Sequence, residues 1–250
     1  MKLDELQLNV DYFEFDETLY QKLDATPVLK PKLVSFNKQA CDLIGLDYEE
    51  CETQEFLDFM NGVKVLKGSV PHSQVYAGHQ FGYFVPQLGD GRAINLGSVN
   101  GWHLQTKGSG LTNYSRQGDG RAVLRSSIRE YIIGEYMHAI GIPTTRALAI
   151  IDSESFAHRE WEQESCSIVM RMTPSWIRIG TFEFFAKTDN SKQNITQLAD
   201  YVISQSYSHL QNEKNKYEKM FYELVDKTSE LLAYWQAYGF MHGVMNTDNF

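Results

Sequence analysis

The sequence predicts a mixed α+β fold in two lobes, with strands gathered in the first part and helices in the second. Three observations carry this. Residues 93–107 partly alternate apolar and polar residues on either side of Asn100-Gly101, the strongest two-residue signal for a tight hairpin. Residues 166–172 form a short apolar run of the kind a buried strand shows. After Gly180 apolar residues recur at helical spacing, most clearly from Tyr217 to Tyr238.

Taken in order, residues 1–70 mix short helical patterns with turn signals. Glu55 to Met60 forms a short amphipathic stretch that Gly62 would end. This section carries no site motif and reads as an acidic N-terminal extension, 1–70, packed on the main body with a structural role. Residues 71–180 read as the strand-bearing lobe with its glycine-rich loops, and 181–250 as the start of a helical lobe that ends in the last loop. In the hairpin, Ala93 to Val99 runs out and Trp102 to Lys107 returns. Arg121 to Ile140 predicts a helix with Leu124, Ile128, Tyr131, Ile132 and Ala139 on one stripe; Gly141 ends it and Pro143 blocks continuation. Ala147 to Ile151 and Cys166 to Met172 predict strands, and the polar stretch Asp152 to Ser165 reads as a loop. Ile195 to Leu210 predicts one helix. Tyr217 to Tyr238 predicts another, with Phe221, Leu224, Val225, Leu231, Leu232 and Trp235 on one face, and Gly239 delivers the chain to a last loop.

Composition narrows the function classes. A 42% hydrophobic content is ample for a core. No run of 18 apolar residues occurs, so no membrane span is expected. The acidic start, Met1 to Glu5, lacks the apolar segment of a signal peptide. Cys41, Cys51 and Cys166 are odd in number and lack CxxC spacing, which predicts a reduced, cytoplasmic compartment with neither a disulfide framework nor a zinc site. The net charge is −9, and residues 1–60 carry all of it, with 14 acids against 5 basic residues. Residues 91–146 hold seven Lys or Arg and three acids. A local cationic site in an acidic protein suits a small polyanion such as a nucleotide. It does not suit a long nucleic acid, which needs a broad basic face.

The last loop, Gly239 to Phe250, is the most informative motif. His242 precedes Asn249 by seven residues, the spacing of the kinase pattern H-R-D-x-x-x-x-N, whose Asn binds Mg²⁺. The position of the kinase Asp is Val244 here, and Asp248 offers a carboxylate instead. Asp248 and Asn249 together suit the handling of one proton and one divalent metal. Strands and one helix followed by helices is also the order of a protein-kinase-like two-lobe fold. Gly89-Asp90-Gly91-Arg92 places glycines and a guanidinium where phosphate can approach, although such a turn is more often an ordinary loop. Lys107 ends a strand 23 residues before the helical Glu130, resembling the kinase ion pair that holds nucleotide phosphates; the bland alternative is two solvated side chains. Asp119-Gly120-Arg121 leads into the Glu130 helix, whose N-terminus is a good anion site. Arg125 and Arg129 read as a solvated face. Arg171 lies in an apolar strand and needs a partner, either a carboxylate or a ligand phosphate, and Arg178 follows it by seven residues. His79 and His242 read as structural.

With these residues assembled, the chain resembles the selenoprotein O family of kinase-fold pseudokinases. The carrying segments are Val75 to Gly82, Leu88 to Arg92, Gln105 to Gly110, Gly118 to Ser127, Gly141 to Ala147, Ile179 to Glu183 and His242 to Asn249, in family order. The resemblance implies a protein adenylyltransferase that binds ATP in an orientation flipped relative to ordinary kinases. It would transfer AMP to Ser, Thr or Tyr hydroxyls of protein substrates and release pyrophosphate. Carried over by motif, Gly89, Gly91, Arg92, Lys107, Asp119, Gly120, Arg171 and Arg178 would contact ATP. Glu130 would pair with Lys107, Asp248 would accept the proton, and Asn249 would ligate Mg²⁺ or Mn²⁺. The resemblance also implies a complete strand-bearing lobe and a helical lobe only begun. A second metal-binding Asp is expected about ten residues beyond Asp248, past the last residue here. Two other readings compete: an inactive ATP-binding pseudokinase or scaffold, and an ordinary protein kinase, against which Val244 argues.

Overall fold

Asn100 and Gly101 take φ of 51° and 78°, the left-handed pair that a two-residue hairpin turn demands. They join β5 (Ala93–Val99) to β6 (Trp102–Lys107), as the sequence predicts. The computed structural model describes residues 1–160 and 162–250, and the chain divides into two units. The first comprises Met1–Val75, Gly89–Ile140 and Thr144–Thr173; the second comprises Tyr76–Leu88, Gly141–Pro143 and Pro174–Phe250.

The first unit is built on an antiparallel sheet. Its strands are β1 (Tyr20–Lys22), β2 (Lys32–Phe36), the beginning of β3 (His72–Gln80), β5, β6, β7 (Ala122–Val123), β8 (Arg146–Arg159) and β9 (Glu162–Thr173). Their order is β1-β3-β5-β6-β9-β8-β2, with β7 also pairing β9. Two short helices, α1 (Lys38–Ile44) and α2 (Gln54–Met60), come from the N-terminal section, and α3 (Leu124–Ala139) packs on β8 and β9. Leu3, Leu6, Ile44, Phe56 and Met60 share one buried core with Leu104, Leu148 and Ile168. The N-terminal section therefore supplies core as well as two strands.

Three expectations are corrected here. The stretch Asp152 to Ser165 is strand on both sides, and β8 and β9 stay paired out to Arg159 and Glu162 after a register slip between Asp152 and Phe156. Its polar residues form a largely exposed ribbon, so no apolar alternation marks it. Helix α3 starts at Leu124 because Ala122 and Val123 pair with Ser167 and Cys166. Its inner face is also not the apolar stripe: Ile132 is 56% exposed, whereas Ser127 and Met137 are buried. Glu130 and Gly134 share that face by spacing, and a Cβ on Gly134 would sit 3.2 Å from the Thr145 carbonyl oxygen.

The second unit begins with the end of β3, which turns at Phe81-Gly82 into β4 (Tyr83–Gly89). Then come α4 (Ile179–Phe185), α5 (Ser191–Ser206) and α6 (Lys216–Ala237) before the final loop. The predicted helix over 195–210 is α5 followed by a 3-10 turn, Ser208–Leu210. Ile203, Tyr207 and Leu210 form a small core there. Helix α6 buries no residue, and Phe221 and Val225 on its predicted inner face are exposed. The mixed α+β class, strands first and helices after, is what the chain adopts. Among the described residues, no helix is long and apolar enough to cross a membrane.

Candidate active site

The first unit brings together Lys107, Glu130 and Arg171. Strand periodicity puts Gln105 and Lys107 on one face of β6, and register places Asn95, Gln105 and Arg171 directly opposite one another on β5, β6 and β9. Helix α3 then delivers Glu130. Lys107 Nζ donates to Glu130 Oε2 at 2.5 Å, and Arg171 Nη1 donates to Oε1 at 3.1 Å. Arg171 thus finds its carboxylate, and one acid holds two cations. All three side chains are less than a third exposed. Burial raises the proton affinity of Glu130, but Arg171 and Lys107 outweigh it and bring the carboxyl down to about 2. Burial and the neighbouring Arg171 and Arg92 bring the Lys107 ammonium down to about 8 despite Glu130.

A row of side-chain bonds leads from this cluster to the glycine loop. Arg171 Nη2 donates to Gln105 Oε1, and Gln105 Nε2 donates to Asn95 Oδ1 at 2.9 Å. Asn95 Nδ2 in turn donates to Asp90 Oδ2 at 2.9 Å, where the Gln74 N–H also arrives at 3.1 Å. Asp90 is 3% exposed. It anchors the loop whose glycines the sequence singles out, and Gln105 and Asn95 carry the connection. None of these three stands among the expected site residues, although Gln105 shares the β6 face of Lys107. The glycines have a packing reason: a Cβ on Gly89 would lie 2.3 Å from Tyr114 Cγ, and one on Gly91 would lie 2.7 Å from the Tyr114 carbonyl oxygen. Arg92, at the end of this loop, is exposed.

The Asp119-Gly120 loop is pinned as well. Arg159 forks onto Asp119 at 2.7 and 2.9 Å, which holds that carboxyl below its ordinary value. Asp119 also accepts from the Arg121 N–H at 2.9 Å. Gly120 takes φ +70°, and a Cβ there would fall 2.2 Å from the backbone of Gly110. Arg125 is an exposed partner of Glu164, in keeping with a solvated face.

The second unit holds Arg178, Asp248 and Asn249. Arg178 Nη1 donates to the Asp248 carbonyl oxygen at 2.8 Å, and its guanidinium lies 4.4 Å from the Tyr76 ring centroid. Asp248 is 7% exposed. Its Oδ2 accepts from Gln80 Nε2 at 2.7 Å, whereas Oδ1 is buried with no hydrogen-bond partner among the described residues. Gly78 makes this possible, since a Cβ there would sit 2.8 Å from Oδ1. The neighbouring Thr247 is locked: its hydroxyl donates to Glu183 Oε2 at 2.7 Å and accepts from the His79 N–H at 2.8 Å, while Glu183 Oε1 meets His79 Nδ1 at 2.7 Å. Asn249 is exposed, and its Nδ2 donates to the Val244 carbonyl at 3.4 Å. His242 stacks on Trp235 at 5.0 Å and accepts from the Val244 N–H, so it braces the loop. Gln80, Glu183 and Thr247 were not expected. All three fall within segments that mark the family resemblance, the one signal that points to them.

Comparison with known proteins shows the family. A family model described as "Protein adenylyltransferase SelO" matches residues 2–250. The Protein nucleotidyltransferase YdiU of Myxococcus xanthus (strain DK1622) is 46% identical over 252 residues, covering 99% of this chain and 51% of that protein. The protein of the same name from Thiobacillus denitrificans (strain ATCC 25259 / T1) is also 46% identical over 252 residues, with the same coverage. The one from Bordetella avium (strain 197N) is 47% identical over 256 residues, covering 99% of this chain and 52% of its own. The chain spans about half the length of the curated relatives it matches.

Proposed function

Because the chain belongs to the protein adenylyltransferase SelO family, we propose that it serves the transfer of AMP from ATP to Ser, Thr or Tyr hydroxyls of other proteins, with release of pyrophosphate. The observation that carries this reading is the largely buried cluster in which Lys107 and Arg171 share the single carboxylate of Glu130. Two cations on one acid leave a net positive charge that phosphate oxygens satisfy, and the Arg guanidinium suits bidentate phosphate contact. By the family's motifs, Arg92 in the first unit and Arg178 in the second are also proposed to contact ATP. Gly89, Gly91, Asp119 and Gly120 shape the two loops that meet the nucleotide. Glu130 orients Lys107 and Arg171.

In the reaction the acceptor hydroxyl oxygen attacks the α-phosphorus, the bond to the pyrophosphate oxygen breaks, and the hydroxyl proton passes to Asp248. Gln80 occupies Oδ2 of that carboxylate and leaves Oδ1 with a lone pair to take the proton. Holding the carboxylate in one orientation is a positioning role for Gln80. The amide oxygen of the exposed Asn249 is a hard donor that fits Mg²⁺ or Mn²⁺. Such a cation neutralises phosphate charge when bound. Three free thiols suit a cytoplasmic setting.

Incubation with ATP labelled on the α-phosphate tests the reading: label is expected on protein. Label arriving only from γ-labelled ATP would replace it with ordinary kinase chemistry. ATP binding with neither label transferred would favour a nucleotide-binding scaffold. Lys107→Ala is expected to weaken ATP binding at least tenfold in calorimetric titration, and unchanged binding would remove the assigned phosphate site.

A further inference from the structure

Cys41 and Cys51 lie outside the cluster and loops assigned above. Cys41 is in α1 and Cys51 is in the 3-10 turn Tyr48–Glu52. Neither has exposed surface, yet their Sγ atoms are 3.5 Å apart. Two cysteines used only as small apolar residues have no need to meet. The third, Cys166, is also buried and lies apart from them in β9. The segments bearing the pair are fixed. The Asn37 side chain caps α1 by accepting from the Ala40 N–H at 3.3 Å, and the Cys41 carbonyl accepts from Leu46 N–H at 3.0 Å. In the turn, Glu50 Oε2 accepts from the Leu3 N–H at 3.1 Å. The sulfurs are thus held about 1.5 Å farther apart than in a disulfide bond.

From this juxtaposition we infer that Cys41 and Cys51 form a peroxide-sensitive pair that closes to an intramolecular disulfide. Either thiol can donate to the other; with Cys51 as donor, its hydrogen bond holds the Cys41 thiol below its ordinary value, and Cys41 is then the attacking sulfur. The Cys41 thiolate attacks one peroxide oxygen and the O–O bond breaks, leaving Cys41 as the sulfenic acid; the hydroxide released leaves as water with a solvent proton. Cys51 sulfur then attacks Cys41 sulfur, the S–O bond breaks, and the hydroxyl leaves as water with the Cys51 proton. Two thiols are oxidised and one peroxide is reduced. The loop so closed receives the chain start: the Met1 ammonium donates to the Gly45 carbonyl at 2.8 Å and pairs with Asp47 at 3.0 Å. Oxidation therefore fastens the segment on which Met1 and Leu3 rest.

The experiment treats the chain with graded hydrogen peroxide, then denatures and alkylates it with N-ethylmaleimide. The expected product has lost two hydrogens, carries one alkylated cysteine, yields a Cys41–Cys51 cross-linked peptide, and melts a few degrees higher than the reduced protein. Dithiothreitol should reverse both changes. Cys41→Ser and Cys51→Ser should each abolish the mass loss and the rise in Tm. Cys41→Ala and Cys51→Ala serve the same purpose should serine fail to fold in the core. Three alkylated cysteines after peroxide would overturn the inference, as would a cross-link through Cys166 or conversion to sulfinic acid without a cross-link.

Discussion

Glu130 shows how one residue ties stability to the site. Its carboxyl is brought from 4.5 down to about 2 in the folded chain. A depressed carboxyl stabilises the fold above its unfolded value, and that contribution is lost as pH falls from about 4.5 to about 2. The contribution is at most about 3 kcal/mol. Glu130→Gln should flatten the acid limb of urea-midpoint stability over that window, and an unchanged limb would refute the assignment. Lys107 acts in the opposite sense: protonation disfavours the fold as pH falls from 10.5 to about 8, and the effect is constant below that. Gln80 is the second residue with a sharp expectation. Gln80→Ala should lower kcat about tenfold or more with ATP affinity retained. Gln80→Glu should move the acid limb of the rate profile to higher pH, because a second carboxylate beside Asp248 raises its proton affinity. A profile that does not move would leave Gln80 a merely structural residue.

Among the elements, those that follow a local rule were legible. The Asn100-Gly101 hairpin, the Cys166 to Met172 strand and the two long helices after Gly180 needed only turn chemistry and periodicity. The β8–β9 ribbon was not legible, since its polar outer half is held by cross-strand pairing and by partners distant in sequence, such as Asp119 on Arg159. The inner face of α3 was misread because it carries Ser127, Glu130 and Gly134, chosen for a charge and a close approach. In the site, Lys107 with Glu130 followed from element order, whereas the Asp90–Asn95–Gln105 row depends on strand register that one sequence does not disclose. The Asp119-Gly120 loop gives a test at this scale. Gly120→Ala combines positive φ with a contact of 2.2 Å to Gly110 backbone. It should cost about 2 kcal/mol or more in urea unfolding, and a loss under about 0.5 kcal/mol would show that the two glycine loops do not interlock.

For the molecule as a whole, the two units differ in how they are held. The first has a continuous core spanning its sheet and N-terminal helices, while the second buries a smaller apolar set that includes Phe185, Leu198, Ile203 and Leu210, and its α6 buries none. Cooperativity should follow that difference. Hydrogen exchange is expected to be slowest for the amides of β5, β6 and β9 and fastest among the helices for α6. Urea unfolding should show the helical signal lost before the near-ultraviolet signal of the first unit. A single coincident transition would show that the units unfold together.

The depressed ammonium of Lys107 has a consequence for chemical labelling. With its proton half gone near pH 8, Lys107 presents about a hundredfold more neutral amine there than an ordinary surface lysine does. Its side chain keeps 22% of its surface open. A sparing dose of an amine-directed acylating reagent should therefore modify Lys107 ahead of the chain's other lysines, leaving a one-residue footprint that a bound nucleotide would erase.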